Sequence, residues 1–257
     1  MSAATPPPVA SPPSGPPRRV ADRGPSVHDE VTADYWTTDG PTKVRRTVEV
    51  GRAELRGPTT VGGSLRGVRV ETRGPLEVVG RLETSGPLTV VGELRAAGEI
   101  HCGALTVRGA LLAERHVAVA GALVAEGVVR LPSAVAASAD LAGEVDLAGR
   151  LRADRATLAL RNGSRVGFVE GGLVRATAPV PNPVETILGR FGEAAIGRIE
   201  AQRVELTGVA VAFVRAPEIL LGPAARVSTV EGTIVARHRS SHVGPESRTV
   251  PPAGLTR

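Results

Sequence analysis

His101 and His116 are the residues of this chain whose type suits proton transfer near neutral pH. A general base must also be tuned by its neighbours and meet a substrate held in a cleft. The sequence shows no carboxylate-rich constellation beside either histidine and no loop long enough to wall a pocket, so both are expected to face solvent. Cys102 is the only cysteine; it falls where neighbouring segments carry Ala96 and Val90, which predicts a small buried hydrophobe rather than a nucleophile. Asp140, Glu144 and Asp146 lie on a turn-rich stretch without the acid spacing of a calcium loop. There is no glycine loop ending in Lys-Ser/Thr, and Lys43 is the single lysine. Asn162-Gly163-Ser164 reads as a turn. Arg18, Arg19, Arg45 and Arg46 are too sparse, and too poor in interleaved aromatics, to predict a nucleic-acid surface.

The elements that position these residues follow one rhythm. An aliphatic anchor returns every five or six positions: Leu65, Val70, Leu76, Leu82, Leu88, Leu94, Ile100, Leu105, Leu111, Val117, Leu123 and Val129. Every third step spans 17 or 18 residues, as from Leu65 to Leu82 and from Val70 to Leu88. Helices and ordinary hairpins do not make this pattern, whereas a chain coiling with three short faces per lap does. Two residues after the anchors sit Val78, Thr84, Val90, Ala96, Cys102, Val107, Ala113, Val119, Ala125 and Leu131. Positions i and i+2 of a strand share a side, so both sets point inward. Glu77, Glu83, Thr89, Arg95, His101 and Thr106 between them point out. Glycines such as Gly74, Gly80, Gly86 and Gly92 mark corners. Gly74-Pro-Leu-Glu-Val-Val-Gly80 recurs almost unchanged as Gly86-Pro-Leu-Thr-Val-Val-Gly92.

Composition agrees with a narrow interior. The hydrophobic fraction of 42% is ordinary, but aromatics supply only 2%, and a solenoid one sheet spacing wide has little room for rings. One cysteine excludes an intramolecular disulfide framework and suits a reducing cytoplasm. No run approaches the roughly 18 apolar residues of a membrane span, and the first residues lack the pattern of a signal peptide. The net charge of +5 is carried almost entirely by arginine, which points to a GC-rich genome more than to a polyanionic partner.

The predicted organisation is a disordered arm over 1–47, a β-helix over 48–236, and a disordered tail over 237–257. The arm rests on the first 42 residues, which hold nine of the 21 prolines and few aliphatics. Tyr35 and Trp36 stand out there, as a docking motif or a latch onto the first coil. The β-helix is expected to hold about ten coils in a rod on the order of 45 Å long. Its one interruption, 177–193, carries an Asn182-Pro183 start, and Val184, Ile187, Leu188 and Phe191 fall on one stripe of a short helix. That helix is expected to cover a face of the solenoid or to dock a neighbour or a membrane surface. Phe213 is expected to be a core anchor near the last coils.

A soluble hexad solenoid raises three function classes: an acyltransferase trimer of the hexapeptide-repeat type with His101 or His116 as base, a monomeric adaptor, and a self-assembling scaffold. An open solenoid ends in unpaired strand edges, which template another chain, and the sequence shows no convincing cap. The expected polymer interface is Val48, Val50 and Leu55 at one end and Val227, Val230, Ile234 and Val235 at the other. The hexads, followed by Gly-Arg-Ile-Glu-Ala-Gln-Arg-Val-Glu-Leu206 and Leu-Gly-Pro-Ala-Ala-Arg-Val-Ser-Thr-Val-Glu231, resemble the bactofilins and their polymer-forming relatives over about 48–236. The resemblance implies a right-handed triangular β-helix. It also implies a non-enzymatic, cofactor-free bacterial scaffold that polymerises end to end without nucleotide. The protein would then be cytoplasmic, at the inner face of the cell membrane, with paralogous scaffolds or cell-envelope enzymes as further partners and no nucleic acid. Two features depart from the family pattern: the extra coils with their insertion, and the lack of a short apolar membrane-targeting peptide at the N-terminus.

Overall fold

The computed structural model describes residues 17–179, 193–245 and 248–249. Its strands are β1 (Arg19–Arg23), β2 (Ser26–His28), β3 (Val31–Asp39), β4 (Thr42–Val44), β5 (Val48–Arg56), β6 (Thr59–Val61), β7 (Leu65–Arg73), β8 (Leu76–Val78), β9 (Leu82–Ala96) and β10 (Ile100–Ala113). They continue as β11 (Val117–Val119), β12 (Ala122–Leu131), β13 (Ala134–Leu160), β14 (Arg165–Thr177), β15 (Ala195–Thr207), β16 (Ala210–Leu221), β17 (Arg226–Arg237), β18 (His242–Val243) and β19 (Arg248–Thr249). All strand pairings among the described residues are parallel, and each joins segments one lap apart. The result is a parallel β-solenoid of about 12 turns, roughly 55 Å long at the usual strand spacing.

Registered columns of inward residues run along the stack, and three of them mark its faces. One passes Val20, Trp36, Ala53, Val70, Leu88, Leu105, Leu123 and Ala139. A second passes Val31, Val48, Leu65, Leu82, Ile100, Val117 and Ala134. The third passes His28, Val44, Val61, Val78, Ala96 and Ala113. Every predicted anchor from Leu65 to Val129 is buried. So are all of the predicted i+2 partners except Ala113, which packs against the core part-exposed.

The predicted boundaries are corrected at both ends. Residues 19–44 form β1–β4 and stack on the rest, and Trp36 is a fully buried core residue rather than part of a disordered arm. At the other end β18 pairs with β17, so the ladder passes residue 236. Gly24-Pro25, Gly40-Pro41, Gly57-Pro58 and Gly74-Pro75 are the repeat's own corner, one per lap, and they run straight through the stretch whose prolines suggest disorder. The supposed helix residues Val184, Ile187, Leu188 and Phe191 lie outside the described residues; among the described residues there is no helix.

Corner glycines serve two different needs. Gly40, Gly57, Gly74, Gly92, Gly109, Gly127 and Gly143 have positive φ and stack on one another. A Cβ on Gly92 (φ 137°) would lie 2.7 Å from the carbonyl oxygen of Gly74 one lap below. Gly80, by contrast, has ordinary φ but faces the Gly63 backbone at 2.6 Å.

The early laps replace aliphatics with threonine at inward sites. Thr38, Thr42, Thr59, Thr72 and Thr84 are buried, and the hydroxyls of Thr38 and Thr59 have no hydrogen-bond partner. A buried hydroxyl without a partner costs about 1–3 kcal/mol. Replacing Thr59 with valine is therefore expected to raise the melting temperature, and an unchanged or lower melt would show that the hydroxyl is satisfied in solution.

Candidate functional site

The outer surface is organised in rows, because registered laps place outward residues directly above one another. One row runs Glu49, Arg66, Glu83, His101, Ala118 and Val135. Arg66 lies between its two acids, 3.9 Å from Glu49 and 3.5 Å from Glu83. Next along the row, His101 joins a three-residue cluster: Arg81 Nη2 donates to Glu99 Oε2 at 2.8 Å, and His101 Nε2 sits 3.1 Å from the same oxygen. The Arg81 hydrogen bond, seconded by His101, holds the Glu99 carboxyl below the usual carboxylate range. His101 thus has a carboxylate neighbour that sequence reading missed. Glu99 stands two residues before it, and that spacing was the available signal.

Chemically, the cluster is an ion pair extended by an imidazole. Arg66, Gly67, Thr84, Ser85 and Val119 line a shallow depression beside it that opens widely to solvent. Cys102 follows His101 in the chain but points the other way, into the core. Burial pushes its thiol up to about 12. The unfolded thiol ionises near 8.5, so the folded state loses stability as pH rises from about 8.5 towards the native value. In the folded protein Cys102 is expected to resist an aromatic disulfide reagent at pH 8 and to react fully once unfolded; rapid reaction of the folded chain would contradict this burial.

The remaining candidates scatter. His116 Nδ1 pairs with Ser133 Oγ at 2.8 Å, a bond between successive laps. Asp140, Glu144 and Asp146 stand outward along β13, and Glu144 lies 3.4 Å from Arg130. Among the described residues no group of three or more His, Cys, Asp or Glu could hold a metal ion. Asn162 and Gly163 form the expected turn. Phe213 is corrected: it is half-exposed on the outer surface, with the Arg198 guanidinium 4.7 Å over its ring and Phe168 on that guanidinium's other side at 5.7 Å. Register places it outward: Phe213 stands in the row of Arg150, Phe168, Arg198 and Thr229, while Val211 and Val214 of the same strand face the core.

Arginines are matched to acids along most rows. Arg45 reaches Asp29 at 3.1 Å, Arg69 reaches Glu71 at 2.5 Å, and Arg215 reaches Glu231 at 3.2 Å. Glu205 takes Arg175 at 2.7 Å and Arg203 at 3.1 Å, and the bond from Arg175 keeps its carboxyl below the ordinary range. The positive charge is thereby dispersed rather than gathered into a stripe.

The ends of the ladder differ from the sequence expectation. Val48, Val50 and Leu55 are buried inside the stack, with β5 paired to β3 on one edge and β7 on the other. They are not a terminal edge, because two further laps precede them. Val227 and Val230 are buried core, so a lysine at Val230 would test folding rather than contact. Ile234 is half-buried and Val235 is 59% exposed, both in β17. Among the described residues, β1 pairs only with β3 and β2 only with β4; β18 and β19 each pair only with β17. Beside Val20, Ile234 and Val243, polar residues stand in inward register at these ends: Asp22, Ser26 and His28 at one, Arg237 and Ser241 at the other. Asp22 Oδ2 accepts the Trp36 indole N–H at 3.2 Å and lies 2.9 Å from His28 Nε2.

Set against family models, curated proteins and solved structures, the chain matches none of them. Among the described residues no helix is long and apolar enough to cross a membrane.

Proposed function

We propose that the chain is a non-enzymatic scaffold that assembles end to end through its β-solenoid. The observation that carries this reading is the one-sided pairing of β1, β2, β18 and β19. Each such edge offers backbone N–H and C=O groups to a parallel strand, and contact that does not close on itself yields a filament. Assembly of this kind rests on strand pairing and requires no nucleotide or other cofactor. The likeness of the hexads to bactofilins supports a right-handed, triangular winding and a role as a bacterial cytoskeletal element in the cytoplasm, at the inner face of the cell membrane. Partners on this reading are other copies of the chain, with paralogous scaffolds or cell-envelope enzymes as clients. The open, ion-paired face around His101 supports a surface for contact rather than for turnover.

The polar inward residues of the terminal laps favour a second reading, a capped monomeric solenoid that binds partners along its sides. Negative-stain microscopy of the purified full chain without nucleotide separates the two. Filaments at micromolar concentration are expected; single short rods at every concentration tried would favour the capped monomer and overturn end-to-end assembly.

A further inference from the structure

We infer that the two ends of the solenoid are complementary to each other and not to themselves, so that copies join head to tail with Arg237 of one over Asp22 of the next. This rests on the end-to-end reading proposed above.

Two observations carry it. The first is phase. Within each lap the chain visits the faces in a fixed order, shown by Trp36, then Val44, then Val48. The ladder begins on the face of Val20, followed by those of His28 and Val31. It ends with Ile234 on that first face, Val243 on the second, and Arg248 beside Glu231 on the third. The described ladder thus starts and stops at the same point of the lap. A second copy set on its end continues all three columns, Val20 above Ile234 and His28 above Val243, as an ordinary next lap would. Parallel pairing carries over with them.

The second observation is charge. One inward column reads Asp22, Thr38, Leu55, Thr72, Val90, Val107, Ala125 and Leu141. It resumes through Leu158 and Ala176 to Leu206, Leu221 and Arg237. Its interior is uncharged; its first member is an acid and its last an arginine. Arg237 is exposed, with Nη2 donating to the Ser241 carbonyl at 3.1 Å. Inward-pointing charges normally guard a sheet edge against pairing. Here they guard selectively, because a like-end junction about a two-fold through this column sets Asp22 on Asp22 or Arg237 on Arg237, whereas an unlike junction pairs them.

Charge exchange tests this. Asp22→Arg and Arg237→Asp are each expected to raise the critical concentration for filaments on the order of tenfold. An equimolar mixture of the two is expected to assemble again as an alternating copolymer, since each end then meets its opposite. Recovery in the mixture also shows that both variants fold. If each variant alone assembles like the parent, or if the mixture stays dispersed, head-to-tail joining is overturned. A parent chain without filaments instead removes the end-to-end reading itself. A second measurement does not depend on charge. Arg19→Cys with Thr233→Cys in one chain is expected to give a disulfide ladder on oxidation, and dimers from either single cysteine would indicate like ends.

Discussion

Replacing Gly92 with valine is expected to be among the most damaging single changes in this chain. The backbone there has φ of 137°, which a β-branched residue adopts at a cost of about 1–3 kcal/mol. The added Cβ also meets the Gly74 carbonyl oxygen at 2.7 Å and its carbonyl carbon at 2.8 Å. Those are backbone atoms of the lap below, held by their own stacking, so the strain has no flexible side chain to absorb it. Crowding of this kind costs roughly another 1–3 kcal/mol. The expected result is a lowered melting temperature and lost amide protection on both sides of residue 92. Gly24 supplies the control. It stands in the same corner column with φ of 86°, but nothing lies within 4 Å of an added Cβ. Gly24→Ala is therefore expected to show only the conformational part, about 1 kcal/mol. Equal losses at the two sites would show that stacking clearance is not what the glycines provide.

The second large effect is expected at Trp36. Its ring is fully buried between Val20 and Ala53, and its indole N–H is held by Asp22. Truncation to alanine is expected to cost about 3–5 kcal/mol and to free the Asp22 carboxylate from one of its two partners. Because each lap of a solenoid rests mainly on its neighbours, the damage should stay local. Hydrogen exchange is expected to accelerate over 19–44 while 65–131 keeps its protection. Uniform loss along the whole chain would mean that the laps unfold as one unit. The Trp36 variant should also fail to extend filaments from its damaged end if ladder edges are the joining surfaces.

The central laps were legible because their inward sites are aliphatic and their outward sites polar, so the period of the lap appears directly in residue type. Leu88, Leu105 and Leu123 repeat one column of the core almost without change. The first laps hid the same geometry behind chemistry. Threonine fills inward sites at Thr38, Thr42 and Thr59, tryptophan stands where leucine would be expected, and proline follows the corner glycine. Proline is tolerated at those corners, as Pro58 and Pro75 show, so its density there marked laps rather than disorder. Everything about the ends depended on that boundary. Two misread laps were enough to move the expected edge onto Val48, Val50 and Leu55, which the structure buries. Glu99, two residues before His101, was missed although the spacing alone offers it as a same-side neighbour. Arg81, 18 residues before Glu99, enters the cluster only once the register is known.

Registered pairing passes from Val174 to Val204, 30 residues apart, and then from Val204 to Ile219, only 15 apart, without any loss of alignment. The columns therefore keep their register across the thirteen residues that separate Pro179 from Glu193. Extra length between these two points is a natural place for splicing in foreign peptide, a tag or a small binding domain, because the strands on either side stay aligned whatever their separation in sequence.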